Sequence, residues 1–286
     1  MPEAPRVILC ADDYAQAPGI SEGILRLAGA GRLSATSAMV HMPGWAMDAR
    51  RAVGLRDRMS LGLHLTLTHG APLGPMPRLA PGGMFPPLGR LMKLALTGRL
   101  MRPEMRAEIA AEIARQLDAF EAEAGAPDHV DGHQHVHVLP GIAGPLLAAI
   151  RTRYAGRGVL LRDPHDRLKA LIGRGSAVKA AFVGTLATGF AARARAAGAV
   201  TNEGFSGYSD FGPVPYAQEF PRFLKALGPR PMVMCHPGLG RDADDPIAAR
   251  REEEFAHLMN LPGLPDWLWH PRRGPRGQID WRGGGA

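Results

Sequence analysis

Two rhythms of apolar and polar positions alternate along the chain. Short, mainly apolar runs recur: VILCA (Val7 to Ala11), SATSAMV, SLGLHLTL, HVDGH, GVLLRD and PMVMCHPG. Runs of this length predict buried strands. Between them the apolar positions take helical spacing. Ile20, Ile24, Leu27 and Ala28 do so in ISEGILRLAGAGRL, and a further helix is predicted near Ala46 to Ala52. The clearest helix is predicted over Pro103 to Ala124. Met105, Ile109, Ile113, Leu117 and Phe120 share one face, with Pro103 in the first turn and Gly125 at the stop. GIAGPLLAAIRTRYAG and PYAQEFPRFLKALG also read as helices, AVTNEGFSG as a strand and loop, and His165 to Gly198 as a long Ala/Arg-rich helical region. Strands alternating with helices predict a parallel sheet covered by helices. No fixed-period repeat is visible. At 286 residues, a single α/β barrel accommodates the chain.

Composition narrows the class. Hydrophobic residues make up 45% of the chain, enough for one large core. Cys10 and Cys235 end the apolar runs VILC and MVMC, so buried free thiols are expected. Two cysteines make neither a Cys-rich zinc site nor a disulfide framework. The N-terminus MPEAPRVILCADD has no signal-peptide pattern, which points to a reduced, cytoplasmic protein. The formal charge of +7 comes from 34 basic and 27 acidic residues, with arginines clustered in the tail and around Gly89 to Arg106. Aromatics are only 6% and no nucleic-acid motif occurs, so nucleic acid is not an expected partner. The segments GRLMKLALTGRLMR and AAFVGTLATGFAARARA are amphipathic and basic. They read as helices flanking the barrel or as an apolar rim in peripheral contact with the inner membrane face.

The polar residues fall in a telling place. Asp12 and Asp13 follow the first strand, and His64 lies within SLGLHLTL. His133, Arg162 and His236 end later strands. In an α/β barrel the carboxyl ends of the strands converge on one face, where active sites are built. Residues more than two hundred positions apart can therefore share a pocket. DHVDGHQHVHVLPGI adds four histidines and two aspartates in one stretch, and imidazole is the commonest metal ligand. One carboxylate and two imidazoles can hold a divalent ion with open positions. A second carboxylate then serves as base and a free histidine as acid.

LCADDYAQAPGI, LGLHLTLTHGAPL, DHVDGHQHVHVLPGI and MVMCHPG occur in this order. The chain thereby resembles the YdjC-like carbohydrate deacetylases, the group of the chitooligosaccharide and hopanoid-associated deacetylases. The resemblance runs from about Arg6 to Leu258 and is weak over His165 to Gly198. It implies a distorted or incomplete TIM-like (β/α) barrel in a single domain, over residues 1–270. Residues 165–198 would form a helical insertion or rim, and 271–286 a flexible basic tail. It also implies removal of an N-acetyl group from an amino sugar, on an oligosaccharide or glycolipid, with a divalent metal. Asp12 would be the general base and His236 the general acid. Asp13, His64 and His133 would bind the metal. Arg162, His135 and His137 would contact substrate, and Asp131 would accept a hydrogen bond from a ligand imidazole. Tyr14-Ala15 departs from the family's Phe-Gly, and Gln134 replaces a histidine of some relatives.

The donor types admit Zn²⁺ or Mg²⁺, with Co²⁺ or Ni²⁺ as further choices. A homodimer is a further expectation. The rival readings are another barrel-type metal hydrolase, amidohydrolase or phosphoesterase, and a non-catalytic sugar-binding relative. Amidohydrolases place H-x-H after the first strand, where this chain has ADD. A binding-only relative would be expected to have lost a ligand or an acid.

Overall fold

A computed structural model describes residues 6–281 except 173, 175 and 241–243. Its elements follow the alternation seen in the sequence. The first half runs β1 (Ile8–Tyr14), α1 (Pro18–Gly29), β2 (Ala35–Ala38), α2 (Trp45–Val53), β3 (Ser60–Leu65), α3 (Leu88–Leu96), α4 (Pro103–Ala124) and β4 (His129–Gly132). The second runs α5 (Ala143–Tyr154), β5 (Leu160–Leu161), α6 (Leu168–Leu171), α7 (Ala177–Leu186), α8 (Phe190–Ala196), β6 (Val200–Thr201), β7 (Phe205–Ser206), α9 (Tyr216–Phe223), β8 (Met232–Cys235), α10 (Ala248–Asn260) and α11 (Leu264–Trp267).

Among the described residues eight strands form one parallel sheet, in the order β6-β5-β4-β3-β2-β1-β8-β7. That is the cyclic order of a (β/α) barrel with one seam open, between β6 and β7. The seam has a simple cause. Residues 202–204 alone separate these two strands, whereas parallel neighbours need a crossover of a dozen or more residues. The barrel is therefore incomplete, and it forms one domain.

The strands are buried on both faces, which explains their continuous apolar runs. Outside, α4 lays Ile109, Ile113, Leu117 and Phe120 on the sheet with no exposure. Each such side chain contributes roughly 1.5–3 kcal/mol by leaving water. The same face buries a polar pair that steers the chain after β3. Gln116 accepts from Thr66 N at 3.1 Å and donates to Thr66 O at 2.8 Å, and Glu112 accepts from Leu73 N at 3.0 Å. The strand end carrying His64 is thus pinned to a long, well-packed helix.

Residues 271–281, expected to be flexible, are docked instead. The Arg273 guanidinium bonds both oxygens of Asp128 at 2.9 and 2.8 Å. Trp281 stacks on Trp269 with centroids 4.8 Å apart and donates to Gly158 O. Both indoles pack with Ile8, Ala35, Leu160 and Met232, near the strand starts. A basic Gly-rich composition masked two anchors, one aromatic and one charged. Residues 282–286 lie outside the described residues. No helix among the described residues is long and apolar enough to cross a membrane.

Candidate metal centre and active site

The carboxyl ends of the strands open on a cavity of about 440 Å³. Asp12, Asp13, His64, His133, His135 and His236 all line it. Asp12 and Asp13 need explanation, because successive residues of a regular strand point to opposite faces. The β1–β2 register shifts between Ala11 and Tyr14, and Asp13 takes φ 67°. This irregularity turns both carboxylates to the same cavity. A left-handed non-glycine residue costs about 1–3 kcal/mol, and the contacts of Asp13 offset that strain. A second kink follows β4, where Gln134 and His135 have φ 53° and 59°. It keeps His133 and His135 on the cavity and sends His137 into the core.

Gly132, between Asp131 and His133, has a steric reason. A Cβ there would lie 2.9 Å from His137 Nδ1 and 3.1 Å from its backbone nitrogen.

Three donor atoms converge. Asp13 Oδ1 lies 3.3 Å from His64 Nε2 and 3.1 Å from His133 Nδ1. All three are within 4.8 Å of one another, a group that could hold a metal ion. The fit is supported from behind. His64 Nδ1 is 2.6 Å from Asp131 Oδ1, and Ser37 Oγ is 3.0 Å from the same nitrogen. Asp131 thus holds the tautomer that leaves Nε2 a lone pair. Burial lowers the His64 pKa, but the Asp131 charge and the Asp13 contact outweigh it and lift it to about 10. Burial works against ionised Asp13 too. The Arg251 charge and the His133 contacts overcome it and hold this carboxyl well below its usual range.

The ion-paired set contains four carboxylates, on Asp12, Asp13, Asp131 and Asp245, and two guanidiniums, on Arg162 and Arg251. His64, paired with Asp13 and Asp131, adds a third positive charge while it is protonated. Once it gives up that proton, as a metal ligand must, two negative charges remain, a balance that a divalent cation closes.

Arg162 and His137 are not where substrate contacts would be. Both are fully buried and off the cavity. Arg162 reaches Asp12 with two parallel bonds, Nη1 to Oδ2 at 2.7 Å and Nη2 to Oδ1 at 2.6 Å. Its Nη2 also lies 2.5 Å from Asp131 Oδ2. His137 Nε2 donates to Arg162 O at 2.8 Å. A fully buried guanidinium whose terminal nitrogens are committed to two carboxylates beneath the floor presents no donor to the cavity. These residues support Asp12 and Asp131.

His236 is half-buried, its ring edge-on to Phe211 at 5.4 Å. Burial lowers its pKa to about 4 despite the nearby Asp13 and Asp12 charges, so the imidazole is neutral near pH 7. Its backbone N–H donates to Glu254 at 2.5 Å. Burial raises Glu254 to about 8, although that bond and Arg251 pull the other way.

The described part of the chain carries four sequence motifs at one barrel mouth, and it matches the YdjC-like protein family over residues 6–268. The chain belongs to that family. Among its relatives, the carbohydrate deacetylase of Homo sapiens is 35% identical over 154 residues, 51% of this chain and 45% of that protein. The chitooligosaccharide deacetylase of Serratia marcescens is 35% identical over 164 residues, 57% of this chain and 61% of that protein. The chain spans about half the length of the curated relatives it matches. In three dimensions it resembles a crystal structure from Enterococcus faecalis V583 named for cellobiose-phosphate cleavage. The TM-score is 0.65 at 19% identity, covering 91% of this chain and 92% of the other. At that identity the likeness speaks to the fold alone.

Several residues in or behind the cavity of this YdjC-like chain were missed by sequence reasoning. Arg251 and Glu254 sit on α10, which was not predicted at all. Its sequence AARREEEFAHLMN looks like a solvated charge run, yet Arg250, Arg251 and Glu254 are all buried. The available signal was Pro246 followed by apolar positions Phe255, Leu258 and Met259 at helical spacing. Lys179, Phe182, Val183 and Leu186 of α7, with Leu88 and Met92 of α3, form an apolar wall bearing one amine.

Proposed function

We propose that this protein is a metal-dependent hydrolase that removes an N-acetyl group from an amino sugar. The observation that carries the reading is the converged trio Asp13, His64 and His133, with a separate carboxylate, Asp12, and a separate imidazole, His236, on the same cavity. The deacetylase relatives add the substrate class. Asp13, His64 and His133 would hold the ion, with Zn²⁺ favoured by the imidazoles and Mg²⁺, Co²⁺ or Ni²⁺ as the other choices. Bound there, a divalent ion supplies Lewis acidity toward water and the acetamide oxygen.

The remaining chemistry belongs to side chains. Asp12, fixed by Arg162 but with lone pairs to spare, takes a proton from the attacking water. The new C–O bond forms as that proton leaves. His236 faces the leaving side. It is neutral near pH 7, so the proton taken from water is the one that must reach the amine, and His236 relays it. The C–N bond then breaks, giving acetate and a free amino sugar. His135 is neutral as well, since burial beside Arg162 lowers its pKa well below the ordinary value. It lines the cavity as a hydrogen-bonding partner for sugar hydroxyls.

The wall of Leu88, Met92, Phe182, Val183 and Leu186 favours a finer reading, an amino sugar bearing an apolar group. Phe182 is 51% exposed at the mouth, placed to meet such a group.

Acetate release tests both readings. The purified protein, loaded with each metal in turn, is given N-acetylglucosamine oligomers and N-acetylglucosaminyl lipids. Release requiring metal is expected, with kcat/KM higher for the lipids. No acetate from any substrate with any metal would overturn the deacetylase reading. Equal turnover would overturn the apolar-group reading.

A further inference from the structure

Arg251 sits on α10, more than two hundred residues from Asp13 in sequence, and only 3% of it is exposed. Its guanidinium is spread over three segments at the barrel mouth. Nη2 bonds Asp13 Oδ2 at 2.8 Å and approaches Gln16 Oε1 at 3.4 Å. Nε bonds Asp245 Oδ2 at 2.6 Å, and Nη1 lies 3.5 Å from His236 O. The backbone closes the same corner, with Gly238 N donating to Arg251 O at 3.1 Å. Gly238 of the HPG motif is packed on this side chain. A Cβ there would lie 3.2 Å from Arg251 Cδ and 3.3 Å from its Cβ.

The two oxygens of Asp13 are thereby divided. Oδ1 faces both imidazoles and Oδ2 belongs to Arg251. A carboxylate can bind a metal through one oxygen or two. We infer that Arg251 is a positioning residue that restricts Asp13 to one-oxygen ligation, so that a coordination position stays open. The same guanidinium ties the His236 loop to the ligand, fixing the acid side of the cavity against the metal side. This inference rests on Asp13, His64 and His133 being the ligands.

The test uses Co²⁺ as the probe, added to the metal-free full chain, with its visible absorption spectrum and X-ray absorption fine structure as readouts. Wild type and D13N come first. Co²⁺ binding that is as tight and spectrally the same in both would overturn the ligand reading itself. With that reading intact, R251M is expected to add one oxygen scatterer to the cobalt shell and weaken its visible bands. Turnover is expected to fall 10–100-fold, the usual effect of losing a partner behind a ligand, with KM little changed. R251K keeps the charge without the fork, and D245N keeps the volume while loosening the Arg251 anchor. Both are suited to fold if R251M does not, and both are expected to shift the spectrum the same way by a smaller amount. Spectra of R251K and D245N that superimpose on wild type would overturn the role of Arg251.

Discussion

Replacing Arg162 with Met tests whether this residue supports Asp12 or binds substrate. Methionine is unbranched and apolar, so it fills much of the space while removing the guanidinium. Two buried carboxylates then lose their cation: Asp12, bonded at 2.7 and 2.6 Å, and Asp131, 2.5 Å away. Breaking a buried pair from one side costs about 3–5 kcal/mol, since the partner charge is left uncompensated. The pH dependence has a definite sign. In the wild type, burial disfavours ionised Asp131, but Arg162 and His64 overcome it and hold its pKa below the ordinary value. That stabilisation is present above the unfolded carboxylate value of about 3.9 and is lost as pH falls through the folded one. Without Arg162 only His64 still opposes burial, so the carboxyl pKa moves up. With the folded value above the unfolded one, the variant loses stability as pH climbs from the unfolded value to the folded one. The gap between the two proteins should therefore widen from pH 5 to pH 8 in urea unfolding. A misplaced Asp12 could not act as the proposed base, so kcat should fall about 10²–10⁴-fold. A substrate-binding arginine predicts the opposite kinetic split, a raised KM at unchanged kcat. That split, or an unfolding gap that shrinks with pH, would refute the reasoning.

Metal analysis should separate the two adjacent aspartates: D13N, H64A and H133A lose bound metal, whereas D12N retains it and loses turnover by about 10²–10⁴-fold. Because Asp131 and Asp13 lift His64 to about 10, metal binding at pH 7 should release about one proton, and affinity should rise with pH. Calorimetry in buffers of different ionisation enthalpy checks this, and no release would contradict it. His236→Ala should slow turnover of an unactivated acetamide far more than of an activated ester, whose leaving group needs no proton. Burial raises Glu254 to about 8 from an ordinary value near 4.5. The native state thus binds that proton more tightly, and stability falls as pH rises between those values. Glu254→Gln keeps an acceptor for the His236 N–H and should flatten that decline in a thermal series from pH 5 to 9.

The strands and most helices were legible because their signals are local. Short apolar runs gave β1, β3 and β8, and a one-faced stripe gave α4 over Pro103–Ala124. Cavity placement was legible for the same reason, since a polar residue at a strand's carboxyl end has a known destination in a barrel. What escaped was decided by partners distant in sequence. Arg162 ends a strand like the others, yet both its terminal nitrogens are taken up inside by Asp12, 150 residues away. The buried charges of α10 cannot be told from a solvated face until Asp13 and Asp245 are placed opposite them. The tail's Trp281 gives no sign that Trp269 will stack on it.

The ADD motif raises a last question, how two identical neighbours come to differ. Neither pattern nor propensity distinguishes Asp12 from Asp13, so their surroundings must. Arg162 approaches from β5 and takes both oxygens of Asp12 in parallel, keeping that carboxylate flat against the floor. Arg251 approaches from α10 and takes a single oxygen of Asp13, leaving the other to two imidazoles. The left-handed turn at Asp13 makes this division possible, because a regular strand would have sent one of the two out of the cavity. One strained residue and two arginines from different elements thus convert a repeated letter into two chemical environments. By this reasoning the strain at Asp13 is a requirement of the site, since relaxing the backbone there would separate the proposed base from the proposed ligand.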